Sequence, residues 1–299
     1  MCEPGIRPGA GTVEGVEGGA GYGWEKGLGM PELPEVETTR KGVEPHVLGQ
    51  RIAGVEVRDR RLRWPVPEEV DGLVGRRVES VGRRGKYLLF GVGCGTVIVH
   101  LGMSGSLRIC GGGWELRKHD HVVVRFGNGT EMRLHDPRRF GCVLFCEGEV
   151  GEHRLLRELG PEPLEDGFSA ATLARAAKGK SVAIKQLIMN SHVVVGVGNI
   201  YACEALSMAG IHPARAAGRV GKARLERLAA AIKEVLGEAI EMGGTTLRDF
   251  LREDGEPGYF KQRLRVYDRE GEACRACGGE VRRVVQGGRS TFYCGRCQR

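Results

Sequence analysis

The chain has 299 residues, of which 41% are hydrophobic and 28% charged, and its formal net charge is +7. This composition predicts a soluble globular protein. One hydrophobic core rarely serves a chain of this length, so we expect two domains and a small third unit. No apolar run approaches the roughly 18 residues of a membrane helix, and the first residues lack a secretory signal. We therefore expect a cytoplasmic protein without a membrane partner, whose ten cysteines are thiols or metal ligands.

Charge and glycine are unevenly distributed along the chain. Residues 1–29 contain ten glycines, four acidic and two basic residues, and no sustained hydrophobic period. Such a segment buries too little surface to offset its chain entropy, so we predict a disordered extension. The remaining chain carries a formal charge of +9. That balance favours a polyanionic partner, although many basic proteins have only a solvated cationic face.

The next segment combines one helix with many strands. Pro34 at a first-turn position predicts an amphipathic helix that Pro45 breaks or kinks. Gly127-Asn128-Gly129 predicts a hairpin. Short β-branched runs between Arg51 and Glu147 predict a β-sandwich or barrel, and they are IAGVEV, RRVESV, KYLLFGV, TVIVHL, HVVVRF, EMRLH and CVLF.

The pattern becomes helical after the stretch Leu159-Gly160-Pro161-Glu162-Pro163, which resembles a hinge. A helix that ends at Gly243-Gly244 is predicted because its apolar residues fall on one face. These residues are Leu225, Leu228, Ile232, Val235, Leu236, Ala239 and Ile240. The second domain is therefore expected to be α-helical.

Two Cys-x-x-Cys pairs near the C-terminus, separated by sixteen residues, fit a four-cysteine zinc ribbon. Four thiolates leave no open coordination position, so one structural Zn²⁺ is expected. A redox role for either pair is the weaker alternative. The ligands would be Cys274, Cys277, Cys294 and Cys297, and the other six cysteines show no ligand spacing.

Several motifs closely resemble formamidopyrimidine-DNA glycosylases, bacterial repair enzymes that remove oxidised purines. In chain order they are MPELPEVET from Met30, HLGMSGSL from His100, KHDHV from Lys118, HDPRRFG from His135, VVVGVGNIYA from Val193 and GRSTFYCGRCQ from Gly288. The resemblance implies an α+β multidomain protein with DNA bound in a cleft between its domains. The expected units are a catalytic β-sandwich with a leading helix (30–150), a helix-two-turns-helix domain (160–255) and a zinc finger (256–299).

The resemblance assigns the chemistry to four residues. Pro31 would be the nucleophile, because a terminal secondary amine can attack the deoxyribose C1′ and form an iminium. Glu32 would be the general acid and base, with Glu35 either assisting or complementing the helix dipole. Lys86 would donate a proton in β-elimination, and Arg289 would bind phosphate during δ-elimination.

Pro31 preceded by Met30 is a tertiary amide, which cannot form an iminium. We therefore expect translation to start at Met30, with that residue removed, rather than an extension that is cleaved or a protein that is inactive.

Nucleotide flipping leaves a hole in the base stack that side chains must fill. Met103, Arg138 and Phe140 match the family's void-filling residues, although Met103 and Phe140 alone would more often be core residues. The resemblance places further DNA contacts at His119, Lys180, Lys185 and Asn199. The turn before Asn199 is expected to offer backbone N–H groups to a phosphate, since a dinucleotide-loop interpretation of Gly196 to Tyr201 lacks the third glycine.

The resemblance implies a base-excision repair enzyme for 8-oxoguanine and formamidopyrimidines, with lyase activity at abasic sites by β,δ-elimination. It would act as a monomer on duplex DNA of the nucleoid. Arg248 and Asn190-Ser191 depart from the family pattern and leave the preference among oxidised purines open. The alternatives are an endonuclease VIII-like enzyme for oxidised pyrimidines, which PELPEVE and HDPRRFG disfavour, and a noncatalytic zinc-ribbon DNA-binding protein if residues 1–29 remain attached.

Overall fold

The computed structural model describes residues 30–93, 95–244 and 260–299. The predicted disordered extension, Cys94 and the segment around Arg248 lie outside these residues. Helix α1 spans Leu33–Val47 and carries Pro45 in its last turn. Of the two predicted outcomes, a break at Pro45 is therefore wrong and a kink stays a prediction. Proline has no N–H and lacks one helical hydrogen bond, but the helix continues to Val47 and the Leu48 N–H donates to the Glu44 carbonyl at 2.9 Å.

Eight antiparallel strands follow α1 and form two four-stranded sheets. One sheet has the order β1-β6-β7-β5 and the other β2-β3-β4-β8. The strands are β1 (Ile52–Val57), β2 (Ser80–Arg84), β3 (Tyr87–Gly91), β4 (Thr96–His100), β5 (Ser106–Gly111), β6 (Asp120–Phe126), β7 (Thr130–His135) and β8 (Cys142–Cys146).

The predicted sandwich is confirmed, and its core lies between the two sheets. Alternate residues of each strand point inward, as Leu88 and Phe90 do in β3, where they pair with Val99 and Val97 of β4. Strand β5 was not predicted, because its sequence SLRICG lies among glycines and lacks a β-branched run. Within the predicted run RRVESV, strand β2 begins only at Ser80.

The second half of the described chain is helical, as predicted. Its core joins four helices and contains apolar side chains such as Leu206, Leu228 and Ile232, all fully buried. The helices are α2 (Ala170–Ala177), α3 (Ile184–Ile188), α4 (Asn199–Ala209) and α5 (Lys222–Glu241). Helix α1 packs against α5 as well as against the sheets. The beginning of α1 is thus held between the sandwich and the helical part.

The C-terminal hairpin consists of β9 (Val281–Gln286) and β10 (Arg289–Cys294). Gly287 and Gly288 form its turn with φ of +58° and +71°, values that glycine tolerates without a steric cost. Among the described residues, no helix is long and apolar enough to cross a membrane.

Candidate active site

The site begins where the first turns of α1 and α4 meet. Glu32 precedes α1, is 2% exposed and points its carboxylate at the start of α4. The carboxylate accepts hydrogen bonds from the backbone N–H groups of Gly198 at 2.7 Å, Ile200 at 2.9 Å and Tyr201 at 3.4 Å. A helix N-terminus carries a partial positive charge, so it stabilises a carboxylate there. Glu32 is therefore fixed between the two halves of the molecule.

The glycines before α4 make this approach possible. A Cβ at Gly198 would lie 2.2 Å from Cδ of Glu32, and one at Gly196 would lie 2.5 Å from Cβ of Leu33. Gly196 also has a φ of +80°. The glycines thus leave space for Glu32 and Leu33 at the start of α1, rather than for a dinucleotide. Glu32 takes the N–H groups of Gly198, Ile200 and Tyr201, and a phosphate contact at the other N–H groups of this turn stays a prediction.

Burial raises the pKa of Glu32 to about 7. The positive charge of Lys86 opposes this rise, the negative charge of Glu35 adds to it, and the N–H groups of Ile200 and Gly198 oppose it. Burial removes water from the charged form and so favours the protonated carboxyl. A carboxyl that titrates near neutrality can both donate and accept a proton at physiological pH.

Glu35 holds Glu32 from the other side. Its carboxylate accepts the backbone N–H of Glu32 at 3.0 Å and the Tyr201 hydroxyl at 2.7 Å. The sequence left two roles open for Glu35, which could assist the reaction or complement the helix dipole. The contacts add a third role, in which Glu35 joins the beginnings of α1 and α4. Pro31, the residue before Glu32, is buried beside them.

Lys86 lies in the two-residue turn between β2 and β3, where Gly85 adopts a φ of +56°. The side chain is half-buried. Desolvation lowers the pKa of Lys86, the charges of Glu32 and Glu35 raise it, and Arg289 lowers it. These interactions show that the structure brings the predicted lysine, glutamate and arginine together.

Sequence reasoning missed Glu162, which fixes the turn that carries Lys86. This buried carboxylate accepts bonds from Arg83 at 2.8 Å, Arg84 at 3.0 Å and the backbone N–H of Gly85 at 2.6 Å. Its only signal in the sequence is an acidic residue between the two prolines of the hinge. The partners lie 77 to 79 positions away, so only the fold reveals the contact.

Arg289 begins β10 at the exposed tip of the C-terminal hairpin, as predicted. Four thiols lie at the base of the hairpin with their sulfur atoms within 4.8 Å of one another. The Cys274 and Cys297 sulfurs are 3.9 Å apart, and those of Cys277 and Cys294 are 3.5 Å apart. Tetrahedral Zn–S bonds of about 2.3 Å separate the sulfurs by about 3.8 Å. The cluster therefore fits one structural zinc ion that secures the hairpin.

Lys185 and Asn199, which the resemblance placed on DNA, both bond to the C-terminal hairpin. Lys185 is 1% exposed, and its Nζ donates to Oδ1 of Asn199 and to Oγ1 of Thr291. The Asn199 amide donates to the carbonyl of Ser290 at 2.9 Å. Two of the three N–H donors of the Lys185 ammonium are thus used inside the protein, and its contact with a phosphate stays a prediction. A phosphate role for Asn199 stays a prediction.

Two other predicted DNA contacts are accessible. Lys180 is exposed between α2 and α3. His119 is partly exposed just before β6, and its ring centroid lies 5.9 Å from those of His121 and His135. Partial burial and then the charge of His135 lower the pKa of His119. Their DNA contacts stay predictions.

The predicted void-filling residues lie on two adjacent loops. Phe140 is 44% exposed and Arg138 is exposed, with the guanidinium carbon 5.0 Å from the centre of the phenylalanine ring. Met103 is half-buried on the neighbouring loop. The exposure of Phe140 disagrees with the alternative of a core residue. Its insertion into DNA stays a prediction.

Comparison with known proteins gives the same relationship for most of the chain, beginning at residue 30. Three family models match it, namely the formamidopyrimidine-DNA glycosylase N-terminal domain at residues 30–143, its H2TH domain at 159–251, and the zinc finger found in FPG and IleRS at 271–299. Formamidopyrimidine-DNA glycosylases of Thioalkalivibrio sulfidiphilus and Methylococcus capsulatus are each 59% identical over 271 residues, covering 90% of this chain and 100% of the relative.

Solved structures agree. The crystal structure of the MutM (Fpg) protein of Thermus thermophilus is 41% identical, with a TM-score of 0.81, and the match covers 90% of this chain and 98% of that one. A Lactococcus lactis Fpg variant in complex with Fapy-dG-containing DNA is 32% identical with a TM-score of 0.84, covering 90% and 100%. Because the three family models match its sandwich, its helical part and its four-thiol hairpin, the chain belongs to the formamidopyrimidine-DNA glycosylase family.

Proposed function

We propose that this chain excises oxidised purines, chiefly 8-oxoguanine and formamidopyrimidines, from duplex DNA and then cleaves the strand at the abasic site. One observation carries the proposal. A buried carboxyl with a pKa of about 7, Glu32, adjoins Pro31 and lies within the electrostatic reach of Lys86. Relatives of the same family have been solved with Fapy-dG DNA and with abasic-site DNA.

The first step joins Pro31 to the sugar. Its neutral amine attacks C1′, the bond from C1′ to the base breaks, and the base leaves with the bonding electrons and takes up a proton. The proline nitrogen then loses its proton. Its lone pair forms the C1′=N bond of the iminium as the C1′–O4′ bond breaks, and Glu32, in its protonated form, donates a proton to that ring oxygen. An N-terminal amine titrates near about 8, so part of it is neutral at physiological pH.

The iminium then serves as an electron sink. Removal of a C2′ proton breaks the C3′–O bond and expels the 3′ phosphate in β-elimination. Removal of a C4′ proton then breaks the C5′–O bond and expels the 5′ phosphate in δ-elimination. Lys86, whose pKa burial lowers, supplies a proton donor beside the reacting sugar. Arg289 at the hairpin tip would bind the departing phosphate, since a guanidinium offers paired donors. Hydrolysis of the iminium releases Pro31.

The residues that hold DNA complete the proposal. His119, Lys180 and Asn199 would contact the backbone, while Met103, Arg138 and Phe140 would fill the space that the flipped nucleotide leaves. We further propose the domain limits 30–150, 160–255 and 256–299, and a monomer acting on nucleoid DNA in the cytoplasm. Size-exclusion chromatography with light scattering tests the monomer.

Borohydride trapping tests the nucleophile. Protein that starts at Pro31 should become cross-linked to an 8-oxoguanine duplex when the iminium is reduced, while Pro31→Gly, which keeps a terminal amine, should cross-link much more slowly. A verified 299-residue form should not cross-link, because its Pro31 nitrogen is an amide. Trapping by that form would exclude Pro31 as the nucleophile. Absence of base excision by the Pro31-terminal protein would overturn the proposed function itself.

A further inference from the structure

Asp136 begins the loop between β7 and β8 that carries Arg138 and Phe140, and its side chain lies against the loop after β4 that carries Met103. Its carboxylate is fully buried and accepts one hydrogen bond from each loop. The Ser104 hydroxyl, next to Met103, donates to Oδ1 at 3.0 Å. The backbone N–H of Gly141, next to Phe140, donates to Oδ2 at 2.8 Å. One side chain therefore connects two segments that are more than thirty residues apart.

The loop backbones are in direct contact around this carboxylate. A Cβ at Gly102, which has a φ of +67°, would lie 2.4 Å from the Gly141 nitrogen and 2.4 Å from the Phe140 carbonyl carbon. The Gly102 N–H donates to Nδ1 of His100 at 2.9 Å. Burial lowers the pKa of His100 to about 4, so this nitrogen remains an acceptor near neutral pH. Neither loop can shift far without displacing the other.

The backbone of Asp136 also holds the turn that separates Arg138 from Phe140. Arg139 adopts a φ of +57°, which is unfavourable for a residue other than glycine. Its N–H donates to the Asp136 carbonyl at 3.2 Å, and Nε2 of His121 lies 2.9 Å from the same oxygen. The Arg139 guanidinium pairs with Asp59 at 2.7 Å. This left-handed residue places its two neighbours, Arg138 and Phe140, on the exposed side with the guanidinium near the ring.

We propose that Asp136 is a positioning residue that makes the two loops one rigid unit, so that Met103, Arg138 and Phe140 enter the duplex together when a damaged nucleotide is extruded. The inference rests on the proposed function. A unit that is ordered before binding loses less conformational entropy on insertion than two independent loops would. Asp136 itself touches neither the DNA nor the reacting atoms and acts through the two loops.

Two substitutions at Asp136 distinguish positioning from charge. Asparagine can accept from the Gly141 N–H through Oδ1 and donate from Nδ2 to the Ser104 hydroxyl, which can reverse its role. Alanine loses both bonds. We therefore expect Asp136→Ala to slow extrusion by about tenfold or more, since small misplacements of functional groups have effects of this size. Asp136→Asn should stay within about threefold of the wild type.

Extrusion is measured by stopped-flow fluorescence of 2-aminopurine beside an 8-oxoguanine, with cleavage of a preformed abasic site measured in parallel. Asp136→Ala should affect extrusion more than abasic-site cleavage, and it should add little to Phe140→Ala in the double variant. Val70→Ala, a truncation of a buried residue in the core of the same sandwich, controls for lost stability. If Asp136→Ala does not fold, Ser104→Ala, which removes one of the two hydrogen bonds to Asp136, is measured in its place in the same assays.

Equal losses on both substrates, or full additivity with Phe140→Ala, would overturn the positioning role. Failure of Asp136→Asn to rescue extrusion would overturn the hydrogen-bond argument. These results differ from failure of the proposed function, in which the wild-type protein starting at Pro31 would leave both substrates intact.

Discussion

The pocket around Glu32 and the loops around Phe140 place their functional groups in opposite environments. Glu32 is 2% exposed and accepts backbone N–H groups of α4, and burial raises its pKa to about 7. Phe140 is 44% exposed beside an exposed Arg138. The comparison separates two requirements. A group that transfers protons benefits from removal of water, whereas a group that enters a DNA helix must be accessible and supported from beneath.

The largest expected effect is at the pocket. Glu32→Gln keeps a side chain of the same size but removes the proton that titrates near neutrality, so excision of 8-oxoguanine should fall by about 10² to 10⁴-fold. Duplex affinity at fixed salt should stay within about threefold, because phosphate contacts dominate affinity. Single-turnover excision and fluorescence anisotropy measure the two quantities. A matching loss of affinity would mean that Glu32 is a structural residue.

Loss of the metal should act through the hairpin and spare the pocket carboxyl. Cys294→Ser, or chelation of zinc, should disorder the hairpin that carries Arg289 and weaken DNA binding by about tenfold or more. The sandwich has its own core and should stay folded. Anisotropy and thermal unfolding of zinc-loaded and chelated protein check this. Cys146→Ser, a half-buried thiol outside the cluster, is the control, and unchanged affinity of the chelated protein would contradict the expectation.

Removal of the aromatic side chain from the loops should impair extrusion of the nucleotide and leave the chemical steps largely intact. Phe140→Ala should slow excision from an intact duplex by about tenfold while changing cleavage at a preformed abasic site much less, since the latter needs less unstacking. Trp114→Ala, another exposed aromatic of the sandwich, should leave both rates close to wild type. Parallel assays on the two substrates measure the ratio. Equal losses for Phe140→Ala would show that the ring only packs against the protein.

The smallest expected effect is the pH dependence of excision, which distinguishes the desolvated pocket from the exposed loops. The pKa of Glu32 is raised to about 7, so its acid form is lost as the pH rises through that value. The Pro31 amine reacts only in its neutral form. A terminal amine has a pKa near about 8, so excision slows as the pH falls below that value. Excision should therefore peak between about pH 7 and 8. Phe140→Ala should lower the rate without moving this peak, and a rate that rises steadily past pH 9 would exclude Glu32 as the acid.

Local chemistry in the sequence was sufficient for much of the molecule. The sandwich strands follow from β-branched runs, α5 follows from its apolar face, and the zinc site follows from the spacing of Cys274, Cys277, Cys294 and Cys297. Each depends on neighbours in the sequence or on a short repeat, so periodicity and spacing carry the information. Strand β5 was missed because glycines surround it and its pattern is weak.

Contacts between distant segments could not be obtained from the sequence. The N–H groups at the start of α4 bind Glu32, and Lys185 bonds to Asn199 and Thr291. A sequence shows that a lysine or an N–H group can bond, but which acceptor reaches it depends on how α1, α4 and the hairpin pack. The pKa of Glu32 has the same origin, because only burial in the assembled fold removes its water. Residue types were thus set locally, while their partners and charges were decided by tertiary structure.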